Sequence, residues 1–276
     1  MGKENRLLLA AGAVFLLQLA AGCASAEPFE ECLQSSVEQR ILSCSIVIDG
    51  DAPGNERLAQ ARDSRGRAFF SQGKFVESIT DYSEALRLSP GNALVLNHRG
   101  DALLAQNKMA EAILDYSLAI DLRPDDSQPY VGRGTAYVRQ KRFSEALLDL
   151  NMGIKLNPKS SLAFNNRADA LFGLHQVDAA ISDYKNAIDL EPKRAESFYN
   201  RGNAYMVVGR FSAAIDDLTM AINIRSDFVS AYFNRSIAYG RTGQADLAVA
   251  DLRKANKIDP SYGPALKAMA QLGLTP

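Results

Sequence analysis

The chain has 276 residues, 47% of them apolar and 23% charged, enough for one large core or two ordinary ones. A formal charge of -1 supplies no global field toward nucleic acid or an anionic membrane surface, so a partner has to be recognised locally. Two histidines, three cysteines and no tryptophan leave little catalytic inventory, and no enzyme activity, metal or cofactor is expected.

The first predicted element is an export signal over residues 1–26. Lys3 and Arg6 make a short basic start, and Leu7 to Ala21 is apolar apart from Gln18 and too short to span a membrane comfortably. Two processing routes are open. Ala24-Ser25-Ala26 before Glu27 has the small-x-small form of an ordinary signal peptidase site, whereas Leu19-Ala20-Ala21-Gly22-Cys23 resembles a bacterial lipobox that would lipidate Cys23. The leucine lies four residues before Cys23 rather than the usual three, which favours ordinary cleavage. The expected location is the periplasm, with an outer-membrane anchor if Cys23 carries lipid.

Residues 27–58 read as an N-terminal cap. Cys32 and Cys44 remain as an even pair in a compartment where a disulfide persists, and closing so short a loop would contribute about 3 kcal/mol. The alternative is two buried free thiols; no histidine or third cysteine lies near enough in sequence to suggest zinc. Val37 to Ile48 has the pattern of one helix, followed by a loop through Pro53 and Gly54.

From residue 59 the chain repeats. Prolines fall at Pro90, Pro124, Pro158, Pro192 and Pro260, at intervals of 34 or twice 34, with Ser226 in the vacant place. The registers are 59–92, 93–126, 127–160, 161–194, 195–228 and 229–262, without insertion. Each holds two apolar-periodic stretches joined by a short polar turn, the mark of an antiparallel helix pair. The eighth position is small (Gly66, Gly100, Gly134, Ala168, Gly202, Ser236), and the tenth is alanine throughout, from Ala68 to Ala238. Large residues such as Phe69, Tyr137, Tyr82 and Tyr184 fill the gaps, so small and large side chains interdigitate. Beyond the last repeat, residues 263–276 make a closing helix, with Pro264 suited to its first turn and Gly273 to its stop.

This pattern resembles the tetratricopeptide repeat family over about 204 of the 276 residues. The family's frequent tryptophan at the fourth position is replaced by Leu96, Tyr130, Phe164, Phe198 and Tyr232, which keep the bulk. The resemblance implies an all-α, right-handed superhelical solenoid of antiparallel helix pairs, stable through its stacking. It also implies a concave groove lined by the second, fifth, ninth, twelfth and thirteenth positions of the first helices. The candidate partner-binding residues are then Phe70, Asn97, Asp101, Leu104, Val131, Val138, Leu162, Asn165, Asp169, Phe172, Tyr199, Asn203, Met206 and Phe233. Asn166, Asn200 and Asn234 add amides beside them. The stripe either receives a partner or packs repeat on repeat and takes the C-terminal helix. The lysine and asparagine clamp with which some members hold a peptide's terminal carboxylate is absent, since the fifth position holds Asp63, Asn97, Val131, Asn165, Tyr199 and Phe233.

A charged ladder accompanies the repeat. The seventh position is arginine in every unit (Arg65, Arg99, Arg133, Arg167, Arg201, Arg235), and the twenty-third is aspartate (Asp81, Asp115, Asp149, Asp183, Asp217, Asp251). A matching acid for each arginine points to architecture rather than to an anionic ligand. Other signals are discounted: Gly132-Arg133-Gly134 lies inside a predicted helix without a preceding strand, His98 and His175 read as ordinary polar residues, and Asn234-Arg235-Ser236 is a sequon within a helix. The expected function is a non-catalytic scaffold of the cell envelope that holds a peptide, helix or protein domain. A lipid-anchored assembly factor for pilus, outer-membrane or peptidoglycan machinery is the alternative.

Overall fold

The computed structural model describes residues 28–50 and 54–275; the signal, both processing sites and Cys23 lie outside them, as does Pro53. The described residues are all-α, fifteen helices with no strand among them, and within each of two compact units every helix packs on the next. The boundary between the units falls between Gln106 and Asn107.

The first unit contains α1 (Pro28–Gln34), α2 (Val37–Asp49), α3 (Asn55–Ser71), α4 (Phe75–Leu88) and α5 (Ala93–Ala105). The helix α1 packs on both α2 and α3, so the cap is a shortened helix pair where the apolar pattern suggested a single helix. Seven residues are too few to display a period of 3.6. Cys32 and Cys44 form a disulfide within this cap, fully buried beside Val47 and Ala61. The cap is keyed to α3 by the Ser64 hydroxyl, which donates to the carbonyl of Cys32 at 2.7 Å.

The second unit contains α6 (Met109–Leu122), α7 (Ser127–Arg139), α8 (Phe143–Leu156), α9 (Ser161–Gly173) and α10 (Val177–Leu190). It continues with α11 (Ala195–Val207), α12 (Phe211–Ile224), α13 (Val229–Arg241), α14 (Ala245–Ile258) and α15 (Gly263–Gln271). Within this unit the first helices of successive repeats touch directly, α7 with α9, α9 with α11 and α11 with α13, forming a closely spaced inner row. The second helices α8, α10, α12 and α14 back them.

Two local rules produce each pair. The fifteenth register position is left-handed in all six repeats, at Gly73, Asn107, Lys141, His175, Gly209 and Gly243, with φ between 59° and 78°. That residue ends the first helix and lets the next amide reach back, as Arg142 N–H donates to the Tyr137 carbonyl and Gln176 N–H to that of Leu171, both at 2.9 Å. The small eighth position then lets the second helix close. A Cβ at Gly134 would lie 2.7 Å from Cγ of Leu150, and one at Gly66 would lie 2.6 Å from the Tyr82 ring.

Candidate functional site

The charged ladder runs through the inter-helix seam. Nε and Nη2 of each arginine donate to both carboxylate oxygens of the aspartate sixteen residues on: Arg65 to Asp81, Arg133 to Asp149, Arg167 to Asp183, Arg201 to Asp217 and Arg235 to Asp251, all within 2.6–2.8 Å. These bidentate forks are strong, charge-assisted hydrogen bonds. They hold the guanidiniums of Arg65, Arg133, Arg201 and Arg235 above their ordinary pKa, against the opposing effect of burial. The remaining nitrogen, Nη1, reaches back to the preceding repeat, from Arg133 to Ser117, Arg167 to Asn151 and Arg235 to Thr219 at 2.8–2.9 Å. Arg65 does the same to Ser45 of the cap. One guanidinium thus joins two helices of its own repeat and one of its neighbour. Arg99 and Asp115 are divided between the two units, and their pairing is an expectation from sequence.

The inner row is polar in a way the sequence did not predict. Asparagine at the sixth register position donates to the ninth-position residue of the preceding repeat: Asn166 to Thr135 at 2.6 Å, Asn200 to Asp169 at 3.2 Å and Asn234 to Asn203 at 2.7 Å. Amides read as free for a ligand therefore stitch repeats together. In the first unit His98 takes the sixth position and its Nδ1 lies 2.8 Å from Oδ1 of Asp63, whose other oxygen faces Arg67 Nε at 3.2 Å. Alignment of the sixth and ninth positions was the available signal.

The candidate groove residues fall into two groups. In the first unit Asn97 and Leu104 are buried, whereas Phe70 and Asp101 are partly exposed, Phe70 with its ring edge-on to Phe75. In the second unit Val131 is buried against Gly153, and Asn165 is buried and accepts from Ser197 Oγ at 3.1 Å. Leu162 is the most open, 40% exposed. Val138, Phe172, Tyr199, Asn203 and Met206 are partly exposed along the inner row. Phe233, also partly exposed, meets Tyr262 edge-on, so the last repeat's share of the stripe is covered from the C-terminal side.

Asp169 stands out among them. Its carboxylate accepts from Tyr184 Oη at 2.6 Å and from Asn200, yet burial outweighs these bonds and the nearby Arg194, and its pKa is pushed up to about 6. The same burial, with the facing carboxylate, drives the Tyr184 phenol far above its usual range.

Comparison with known proteins identifies the repeats as tetratricopeptide repeats. Models described as tetratricopeptide repeat match residues 64–129 and 229–262, and one described as TPR repeat matches 169–209, together just over half of the chain. No curated protein sequence matches significantly. Among solved structures, YrrB, described as a TPR protein with an unusual peptide-binding site, is 20% identical with a TM-score of 0.57, over 68% of this chain and 97% of that one. In the Cut9-Hcn1 hetero-tetramer of the APC/C, the match has a TM-score of 0.75 at 18% identity over 86% of this chain, which spans under half (46%) of that one. PilW, described as a widely conserved type IV pilus biogenesis factor, matches at a TM-score of 0.71 and 13% identity over 77% of this chain and 98% of that one. At these identities the likeness is one of fold.

Proposed function

We propose that this chain, which carries tetratricopeptide repeats and has their fold, is a non-catalytic scaffold that holds a peptide, helix or protein domain against the inner row of its second unit. The observation that carries the reading is the partly exposed apolar run Leu162, Phe172, Tyr199 and Met206, which alternates with Asp169 and Asn203 on first helices that touch one another. Apolar side chains would supply affinity, and the polar groups between them would orient the bound segment. The likeness to a TPR protein with a peptide-binding site supports the same reading. A photoreactive residue placed at Phe172 or Met206 should crosslink the partner. Partner labelling from Asn186 on the second helix α10, with none from the inner row, overturns the reading.

A second reading, an assembly factor of the cell envelope, is favoured by the apolar leader over residues 7–21 and by the likeness to a type IV pilus biogenesis factor along almost that protein's whole length. Mass spectrometry of the mature N-terminus decides how it is held. A lipidated Cys23 supports a membrane-tethered factor, and a start at Glu27 supports a free periplasmic scaffold.

A further inference from the structure

Asp63, Asp81, Asp149, Asp183, Asp217 and Asp251 are buried, and each carboxylate meets a guanidinium at 2.6–3.2 Å. Asp169 is held differently. It stands half-buried on the inner row, and its three donors, Tyr184, Asn200 and Asn165, are all neutral. Arg194 acts on it only from a distance, with its own guanidinium 3.7 Å from Glu191. The two carboxylate oxygens are not equivalent. Oδ1 accepts from Tyr184 Oη at 2.6 Å and from Asn200 Nδ2 at 3.2 Å, whereas Oδ2 has only Asn165 Nδ2 at 3.5 Å. Oδ2 therefore keeps lone-pair capacity for a further donor.

The surroundings set what that donor is. No other residue at the fifth, sixth, ninth or twelfth register position of α7, α9, α11 and α13 is charged. The charges of the row stand toward the helix ends, where Glu196, Arg139 and Arg241 are exposed and Glu196 meets Arg225 at 2.7 Å. Leu162 lies seven residues before Asp169 and Phe172 three after it, on the same face of α9, and Met206 repeats the register position of Phe172 on α11.

We propose that Asp169 anchors a lysine side chain of the bound segment, set between apolar side chains that lie on Leu162, Phe172 and Met206. The inference rests on the inner row being the binding surface, and charge complementarity names what it holds. A carboxylate with a pKa pushed up to about 6 is one whose neutral donors do not offset its burial, and a cation would. An ammonium suits it better than a guanidinium, because a bidentate fork needs both oxygens and Oδ1 already accepts twice. A metal ion would need several oxygen ligands, and Tyr184 and Asn200 turn hydrogens rather than lone pairs toward this carboxylate.

Panning displayed random short peptides on the purified protein tests this. Selected peptides should carry lysine between apolar residues, and fluorescence anisotropy should show their affinity lowered about tenfold or more by Asp169→Asn, with an unchanged helical circular dichroism spectrum. Replacing the peptide's lysine by glutamine should cost a similar factor on the parent and little on Asp169→Asn. For a peptide without histidine or carboxylates, Kd should rise about tenfold from pH 7.5 to pH 5 as Asp169 takes up its proton, and stay level for Asp169→Asn. The titratable and charged groups facing Asp169 are Tyr184 of α10, whose phenol stays protonated over that range, and the Arg194 guanidinium at the start of α11; Thr135 and Val138 of the α7 inner row carry no charge. Weakened binding to Leu162→Gln and Met206→Gln identifies peptides seated on the inner row. Such peptides without lysine, or bound as tightly by Asp169→Asn as by the parent, overturn the lysine anchor and leave the inner row as the binding surface. Selection of no peptide, or only of peptides indifferent to both glutamine variants, overturns both.

Discussion

At the residue scale, two buried charges are handled in opposite ways. The ladder aspartates sit in bidentate forks, whereas Asp169 has only neutral donors, and its pKa of about 6 records the difference. Because the folded state raises this pKa from its ordinary 3.8, the proton is held more tightly in the folded protein. The stabilisation is fully present below pH ~4 and is lost as pH rises through about 6. Asp169→Asn keeps an acceptor for Tyr184 and Asn200 and removes the ionised form. It should stabilise the protein by roughly 2 kcal/mol at pH 7.5, and the advantage should vanish near pH 4 in urea titrations at both values. Arg167→Ala should do the reverse, since the carboxylate of Asp183 is left almost buried without its fork. A loss of about 3 kcal/mol is expected, part of it recovered in the double variant with Asp183→Ala. An unchanged thermal transition for Arg167→Ala would show that the ladder is not structural.

At the element scale, the left-handed turn residue decides where each first helix stops. Gly73, Gly209 and Gly243 adopt that conformation freely, but Lys141 and His175 hold φ near 60° with a side chain. Lys141→Gly should therefore stabilise the α7–α8 hairpin by about 0.5–1 kcal/mol, read as a rise in the denaturation midpoint. A fall would mean that the lysine side chain contributes more than its backbone costs. The cap illustrates the limit of element reading from sequence. The pattern over Val37 to Ile48 was long enough to show a helix, and α1 was not.

At the scale of the whole molecule, the repeat makes segments interchangeable. Removing residues 161–194 would bring Asn200 opposite Thr135 and Arg201 opposite Asn151, the places now held by Asn166 and Arg167, with no change of residue type. The shortened chain should fold with the same helicity per residue and a lower melting temperature. Removing 161–176 alone, one helix and its turn, should abolish cooperative unfolding, since a lone second helix has no first helix to bury its face.

The period of 34, the small eighth position and the paired arginine and aspartate were legible in sequence because they restate one packing rule in every repeat, and a helix pair that cannot bury its own face has to stack. Access was not legible. Whether Asn97, Leu104, Val131 and Asn165 face solvent depends on how closely the inner helices approach, and they are buried. Whether Asn166, Asn200 and Asn234 are free depends on partners thirty-one residues away, and they are engaged. Sequence alone determined the repeating unit, because that is a matter of local period; tertiary structure alone decided which surfaces are left over for binding, because exposure belongs to neighbours.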